Sequence, residues 1–411
     1  MTTSRGRSRR QRVLAAVLGL SLVAAACTRD DDASDDSVVA TEDSTADTAP
    51  ADTTAPAESS DDDDHDDAGG AVDAVVEEAK AFVEAQLNAS EGFGGPVSGP
   101  AAVAGQSVVF VASDLTNGGV AAVDQAAGEA AAAIGWDYET INGAGTAQGR
   151  GDALNQAIAL NPDGIILGGF DANEQATAIS EAAAQGIPVV GWHAAADVGP
   201  DPDNGLFNNV TTDPLEVSEF AAKLAIAQSE GTAGVVIFTD SQFEIALAKA
   251  DAIKVEIEKC SGCTVFEVKD TPITDTAAQM PAVIVQLLQE YGDTLTHTLA
   301  INDGYYGGAA PALRDAGKDP KGPPFNISAG DGDAAAFDRI RSEEFQFATV
   351  AEPLFLQGWQ IIDELNRALA GEPASDFIAP PALVTNANIT DADVFDPASG
   401  YRDNYTAIWG L

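Results

Sequence analysis

The chain has 411 residues, 65 acidic and 20 basic, with a formal net charge of −45. Such an excess argues against nucleic acid or an anionic membrane surface as partner. It leaves the fold open.

Arg5, Arg7, Arg9, Arg10 and Arg12 form a basic start, followed by an apolar stretch over 13–23 and by Ala24, Ala25 and Ala26 just before Cys27. This is the pattern of a secretory signal, expected over 1–26. A cysteine directly after small residues resembles the bacterial lipobox, which implies a mature chain anchored through lipid at Cys27. No later stretch reaches the roughly 18 apolar residues of a membrane span. The remainder is therefore expected outside the cytoplasm, touching the membrane only through the anchor.

Residues 27–70 read as a disordered acidic tether. From Thr28 to Gly70 there are sixteen acidic residues and one basic residue, Arg29. Too little apolar surface is present to offset the entropy of ordering. His65 within "DDDDHDD" reads as a solvated residue rather than a metal ligand. A stripe of Val72, Val75, Val76, Ala79, Phe82, Val83 and Leu87 at helical spacing predicts a helix over about 72–87. With the linker it makes a 71–104 segment, expected to pack on the first lobe.

From Gln106 onward short apolar runs alternate with amphipathic helices. "SVVFVAS", "WDYETI", "GIILGG" and "IPVVGW" are separated by helices near 120–134, 149–160 and 173–185. A second series begins with "TTDPLEVSEFAAKLAIAQ", where Thr212 or Asp213 caps and Pro214 opens a helix. "AGVVIFT", "TVFEVK", "THTLAIN" and "FNISAGD" follow, with helices near 243–259, 276–291 and 307–316 between them. The pattern predicts two α/β lobes with parallel sheets. After them, "FQFATVAEPL" reads as a strand, 357–370 as a helix and "PPALVTNANI" as an extended segment.

The ordered set "VVFVASDLTNGG", "NPDGIILGG", "AQGIPVV", "AINDGYYGGAAPALRDAG", "ISAGDGD", "TVAEPL" and "ALVTNANI" resembles the periplasmic sugar-binding proteins of ABC importers, the ribose-binding-like group. The resemblance implies a type I periplasmic binding protein fold, two Rossmann-like lobes joined by a three-crossing hinge. Crossings are expected near 209–212, 351–353 and 382–385. Lobe I would comprise 105–210 plus 353–382, and lobe II 211–352 plus 383–411. It also implies an ABC permease as partner and a monomeric chain. The family's ligand contacts fall on Asn117, His193, Asn302, Asp331 and Glu352. This chain departs from the pattern. His193 and Ala194 replace a common Asp-Arg pair, and Ala248 or Lys249 stands where the family carries an arginine. Fewer positive charges imply a neutral rather than an anionic ligand.

Open parallel sheets bind ligands outside the carboxyl ends of their strands. Candidates are therefore the residues that follow each apolar run. They are Ser113, Asp114 and Asn117, then Phe170 and Asp171, then Trp192 and His193. In the second lobe they are Ser241, Gln242 and Phe243, then Asn302, Asp303 and Tyr305 or Tyr306, then Asp331 and Glu352. A sugar needs an aromatic plate for its C–H face and fixed polar groups for its hydroxyls.

"GAGTAQGRG" matches neither phosphate-loop spacing, and the "RGD" at Arg150 reads as a helix start. No cofactor or metal is expected. Cys260 and Cys263 in "CSGC" predict a disulfide across a helix-to-strand turn. The expected function is capture of a small neutral sugar or polyol and its delivery to a permease. One alternative is an accessory protein that presents its ligand to a sensor or chemoreceptor. Another is a glycosidase using Asp303, Asp331 and Glu352, but nothing in the spacing pairs the carboxylates.

Overall fold

The computed structural model describes residues 67–89 and 92–411, with side chains from residue 74. The signal, Cys27 and all but the end of the tether lie outside the described residues. Helix α1 (Asp67–Leu87) comes first. The first lobe then runs β1 (Ser107–Ala112), α2 (Gly118–Ile134), β2 (Asp137–Asn142), α3 (Ala147–Ala159), β3 (Gly164–Gly168), α4 (Ala176–Ala184) and β4 (Val189–Trp192). A short hairpin of β5 (Gly199–Asp201) and β6 (Leu206–Val210) ends it, an element the sequence pattern does not announce.

The second lobe runs α5 (Pro214–Gln228), β7 (Gly234–Thr239), α6 (Glu244–Ile257), β8 (Thr264–Asp270), α7 (Thr276–Tyr291), β9 (His297–Ala300), α8 (Gly304–Asp315), β10 (Phe325–Ser328), α9 (Ala334–Ser342) and β11 (Ala348–Ala351). The chain then returns to the first lobe as α10 (Leu354–Ala370), crosses to the second as β12 (Ala382–Thr385), and ends in α11 (Tyr401–Trp409).

Each lobe is built on a six-stranded sheet, in the orders β2-β1-β3-β4-β6-β5 and β12-β11-β10-β9-β7-β8. Only β5 and β12, at the sheet edges, pair antiparallel. Val235, Val236, Ile237 and Phe238 of β7 are fully buried. A strand covered by helices on both faces reads as a continuous apolar run for that reason. Local signals set the helix ends. Asn117 caps α2, and Asp213 with Pro214 opens α5. The strand order reverses at β1/β3 in one sheet and at β7/β9 in the other, so the carboxyl ends of those strands frame the cleft.

Two expected placements are corrected. The apolar stripe of α1 packs on the second lobe, not the first. Val76 and Ala79 join the core of α5, and Phe82 meets Phe220 edge-on at 4.9 Å. Lys223 closes the contact, 2.8 Å from Glu78 and 4.6 Å over the Phe82 ring. The linker then runs to the first lobe. Phe93 lies on Phe377 and Tyr405, and Arg367 donates to the Ser98 carbonyl. A linker of that length lets the helix take the apolar face that fits it rather than the lobe nearest in sequence.

The second correction concerns 383–411. Strand β12 does join the second lobe, but α11 goes back to the first. Trp409 stacks on Trp359 of α10 at 5.6 Å, and its Nε1 donates to Asp363. Helix α10 packs on α2 and on the first sheet, and the α11 aromatics Tyr401, Tyr405 and Trp409 join the same apolar cluster. Cys260 and Cys263 are joined by a disulfide at the turn between α6 and β8.

Candidate functional site

A cavity of about 410 Å³ lies between the lobes, at the carboxyl ends of the central strands. From the first lobe, Ser113 and Asp114 reach it after β1, Asn117 from the start of α2, and Trp192 and His193 from the end of β4. From the second come Phe243 just before α6, Lys249 on it, Asn302 after β9, and Asp331 and Asp333 after β10.

The end of β4 accounts for one corner of this wall. His193 has a φ of 50°, so the chain leaves the sheet there in a left-handed turn. The turn folds the imidazole back onto the Trp192 ring, 4.0 Å away and 11° from parallel. Trp192 Nε1 donates to Gln357 Oε1 at 2.9 Å, and Gln357 Nε2 donates to Glu352 at 3.1 Å. His193 Nε2 donates to Glu352 Oε2 at 2.9 Å, and Lys249 Nζ to Oε1 at 3.0 Å. Burial alone would push the Glu352 carboxyl up, but the charges of His193 and Lys249 and the hydrogen bonds hold it well below the usual range. Glu352 is fully buried and does not itself line the cavity. It holds two residues that do, His193 and Lys249, and a third, Trp192, through Gln357.

In the second lobe, Asn302 Nδ2 donates to Asp331 Oδ2 at 2.7 Å, and Asn302 Oδ1 accepts from Gly304 N. Burial pushes the Asp331 carboxyl up, opposed by His193 and Lys249. Asn117 Oδ1 is occupied by the amides of Gly119 and Val120, which leaves its amide nitrogen for a ligand.

Of the residues expected from sequence, Ser113, Asp114, Asn117, Trp192, His193, Phe243, Asn302 and Asp331 meet at the cavity. The others do not. Phe170 is fully buried in the core under the first sheet. Asp171 is turned away from the cavity. It accepts from Glu244 N of the other lobe at 2.9 Å, and burial pushes it up to about 6. Asp303 points under α8, accepting from Gly332 N and Gln346 Nε2. Burial and the charges of Asp333 and Asp331 push it up to about 7. Tyr305 stacks on Phe238 and donates to the Thr271 carbonyl. Tyr306 is likewise buried, donating to the Ile327 carbonyl.

The expectation of few positive charges is also corrected, because Arg150, Lys249 and Arg339 all line the cavity. Arg150 is held by Glu174 at 2.6 Å and lies 5.5 Å over the Phe243 ring. Arg339 donates to Gln346 and to the Asp303 carbonyl. These cations sit within helices, one or more turns beyond the strand ends, so a reading confined to strand ends passes over them. Arg150 and Lys249 each have a carboxylate partner, so the wall gains donors with little net charge.

Donor atoms of His193, Asp331 and Glu352 lie within 4.8 Å of one another, the arrangement of a small metal site. Both Glu352 oxygens are already engaged, and the Lys249 ammonium supplies the positive charge a metal would bring. The cluster is an ion network complete in itself.

A lobed α/β chain with its cavity at the strand ends has the architecture of the type I periplasmic binding proteins. Residues 108–373 match the model of the periplasmic binding protein domain, and the chain belongs to that family. It is a family of binding proteins rather than enzymes, and its members act outside the cytoplasm. Among the described residues no helix is long and apolar enough to cross a membrane.

Solved structures share the fold. A glucose-galactose binding protein from Geobacillus stearothermophilus matches at TM-score 0.61 and 17% identity, over 70% of this chain and 99% of its own. An ABC transporter solute-binding protein from Agrobacterium vitis bound to α-D-tagatopyranose matches at 0.61 and 19%, over 71% and 99%. One from Bacillus halodurans with bound myo-inositol matches at 0.59 and 19%, over 74% and 99%. At these identities the likeness is one of fold. Among curated proteins none matches the chain.

Proposed function

We propose that the chain captures a small neutral sugar or polyol between its lobes and delivers it to an ABC permease, held at the membrane by lipid on Cys27. The observation that carries this reading is the composition of the cavity wall. Trp192 and Phe243 supply aromatic surface, and Asn117, His193, Asn302 and Asp331 supply donors and acceptors. The buried cations Arg150 and Lys249 are matched by Glu174 and Glu352. A hydroxylated, uncharged ligand uses such a wall fully, since each hydroxyl both donates and accepts. A cavity of about 410 Å³ is in the size range of small-molecule sites. The fold neighbours bound to tagatose and myo-inositol support the same class.

Titration calorimetry against hexoses, pentoses, inositol and linear polyols, with amino acids and dicarboxylates as comparison, tests the ligand class. Saturable binding of a neutral polyhydroxyl compound is expected. Binding of carboxylates alone would overturn the class. For the anchor, Cys27→Ser should release the protein from the membrane fraction, and continued association to the same extent would overturn it.

A further inference from the structure

Among the contacts between the lobes that bound the cavity, three bring a carboxylate of one lobe to the amino end of a helix in the other. We propose that these contacts form a latch, a helix cap on one side of the cleft and a close approach to a helix start on the other. Asp171 of the first lobe caps α6, while Asp331 and Asp333 of the second close on α2 at Gly118 and Gly119. The latch rests on the reading that the lobes part to admit a solute.

The first half of the latch is a hydrogen bond. Helix α6 begins at Glu244, and the preceding cap residue, Phe243, has no side-chain acceptor to offer. The Glu244 amide instead donates to Asp171 Oδ2 across the cleft at 2.9 Å, and Asn173 Nδ2 donates to the Glu244 carboxylate at 2.6 Å. Asp171 Oδ1 is buried without a partner, so the carboxyl is placed for this one contact.

The second half is a close approach. A Cβ at Gly119 would stand 2.3 Å from Asp331 Oδ2 and 2.9 Å from Asp331 Cβ. At Gly118 it would stand 2.3 Å from Asp333 Oδ2 and 2.7 Å from Asp333 Cβ. Because even the Cβ atoms are too near, rotating a carboxyl group relieves neither collision, and the lobes themselves must separate. Carboxylates at this position also lie in the positive field of the α2 amino terminus. Glycine is a poor helix residue, and its place here is explained by the closed state rather than by the helix. A latch of this kind populates the closed form without ligand, so less of the solute's binding energy is needed to close the cleft.

The test is single-molecule energy transfer in the full chain carrying Cys27→Ser, with dyes at Leu160→Cys and Val255→Cys. Both positions are exposed, one on each lobe. Without solute, the unlatched control set is Asp171→Ala and Gly119→Ala. The parent protein should be mostly closed. Asp171→Ala should lower its closed-to-open ratio several-fold to about thirtyfold, the range a lost cap gives. Gly119→Ala should do so at least as strongly while its melting temperature stays equal or rises, which separates the effect from misfolding. A parent protein that is open without solute, or two variants with the parent's distribution, would overturn the latch. If sugars close all three proteins alike, the latch falls and the solute reading stands. If the variants open but no sugar or polyol binds, the reverse holds.

Discussion

The two ends of the cavity wall handle buried charge in opposite ways. At the hinge corner, Glu352 is surrounded by His193, Lys249 and Gln357, and its carboxyl is held well below the ordinary range. In the second-lobe loop, Asp331 and the Asp303 behind it are pushed up, in each case by burial first. The first arrangement is electrostatically complete and serves as a fixed support. The second retains unused acceptor capacity at the cavity, which is what a ligand or an opposing helix can fill. Support and recognition are thus divided between carboxylates that look equivalent in sequence.

Removing the support should have the largest effect. Glu352→Ala strands the Lys249 ammonium as buried charge, and breaking a buried pair costs about 3–5 kcal/mol. Urea denaturation should show this as a lowered midpoint, with Glu352→Gln less affected because its shape and one acceptor remain. A midpoint unchanged in Glu352→Ala would make the corner a surface-like contact.

The pH dependence of stability sharpens the contrast. A depressed carboxyl such as Glu352 stabilises above its unfolded value of 4.5, and that contribution is lost as pH falls through the folded value. Asp303 is raised from 3.8 to about 7, so the folded state holds the proton more tightly. Its contribution is full below pH 3.8 and lost as pH rises toward 7, on the order of 4 kcal/mol in all. Asp303→Asn should therefore flatten the decline in stability across that window. An identical pH profile in parent and variant would remove Asp303 as its source.

The third expected effect is on binding. Asp331→Ala should leave the urea midpoint near the parent value. It should weaken a bound polyol by one charge-assisted hydrogen bond, about 1.5–3 kcal/mol, or roughly tenfold to a hundredfold or more in Kd. Calorimetry with an unchanged Kd would place the ligand elsewhere in the cavity.

Sequence reading located the strands well, because strands buried on both faces are continuous apolar runs with capped helices between them. It located strand ends, and so the cleft. It did not resolve which neighbour at a strand end faces the cleft. Asn302 enters and Asp303 turns under, while Trp192 enters and Phe170 belongs to the core. That choice depends on where the chain leaves the sheet, as the positive φ of His193 shows. Arg150, Lys249 and Arg339 lie within helices, where only the tertiary placement of a face brings a side chain to the cavity. The lobes taken by α1 and α11 were hidden for a related reason, since an apolar stripe states that it needs a partner but not which one.

Trp192 belongs to both halves of the comparison, and its substitution should give the smallest effect on affinity. The ring lies along the cavity while its Nε1 is committed to Gln357, so plate and support are separate functions of one side chain. Trp192→Phe keeps an aromatic face but leaves the buried Gln357 Oε1 without its donor, a loss of about 1–3 kcal/mol in stability. If the ring serves the ligand as a plate, Kd for a polyol should change by only a few-fold, because no ligand hydrogen bond is lost. Trp192→Ala removes the plate as well and should weaken binding further. The informative quantity is the difference between the two variants in calorimetry, compared at a temperature where both are folded. Equal affinities for Phe and Ala at this position would show that the ring acts only through Gln357 and Glu352, and would move Trp192 wholly to the side of support.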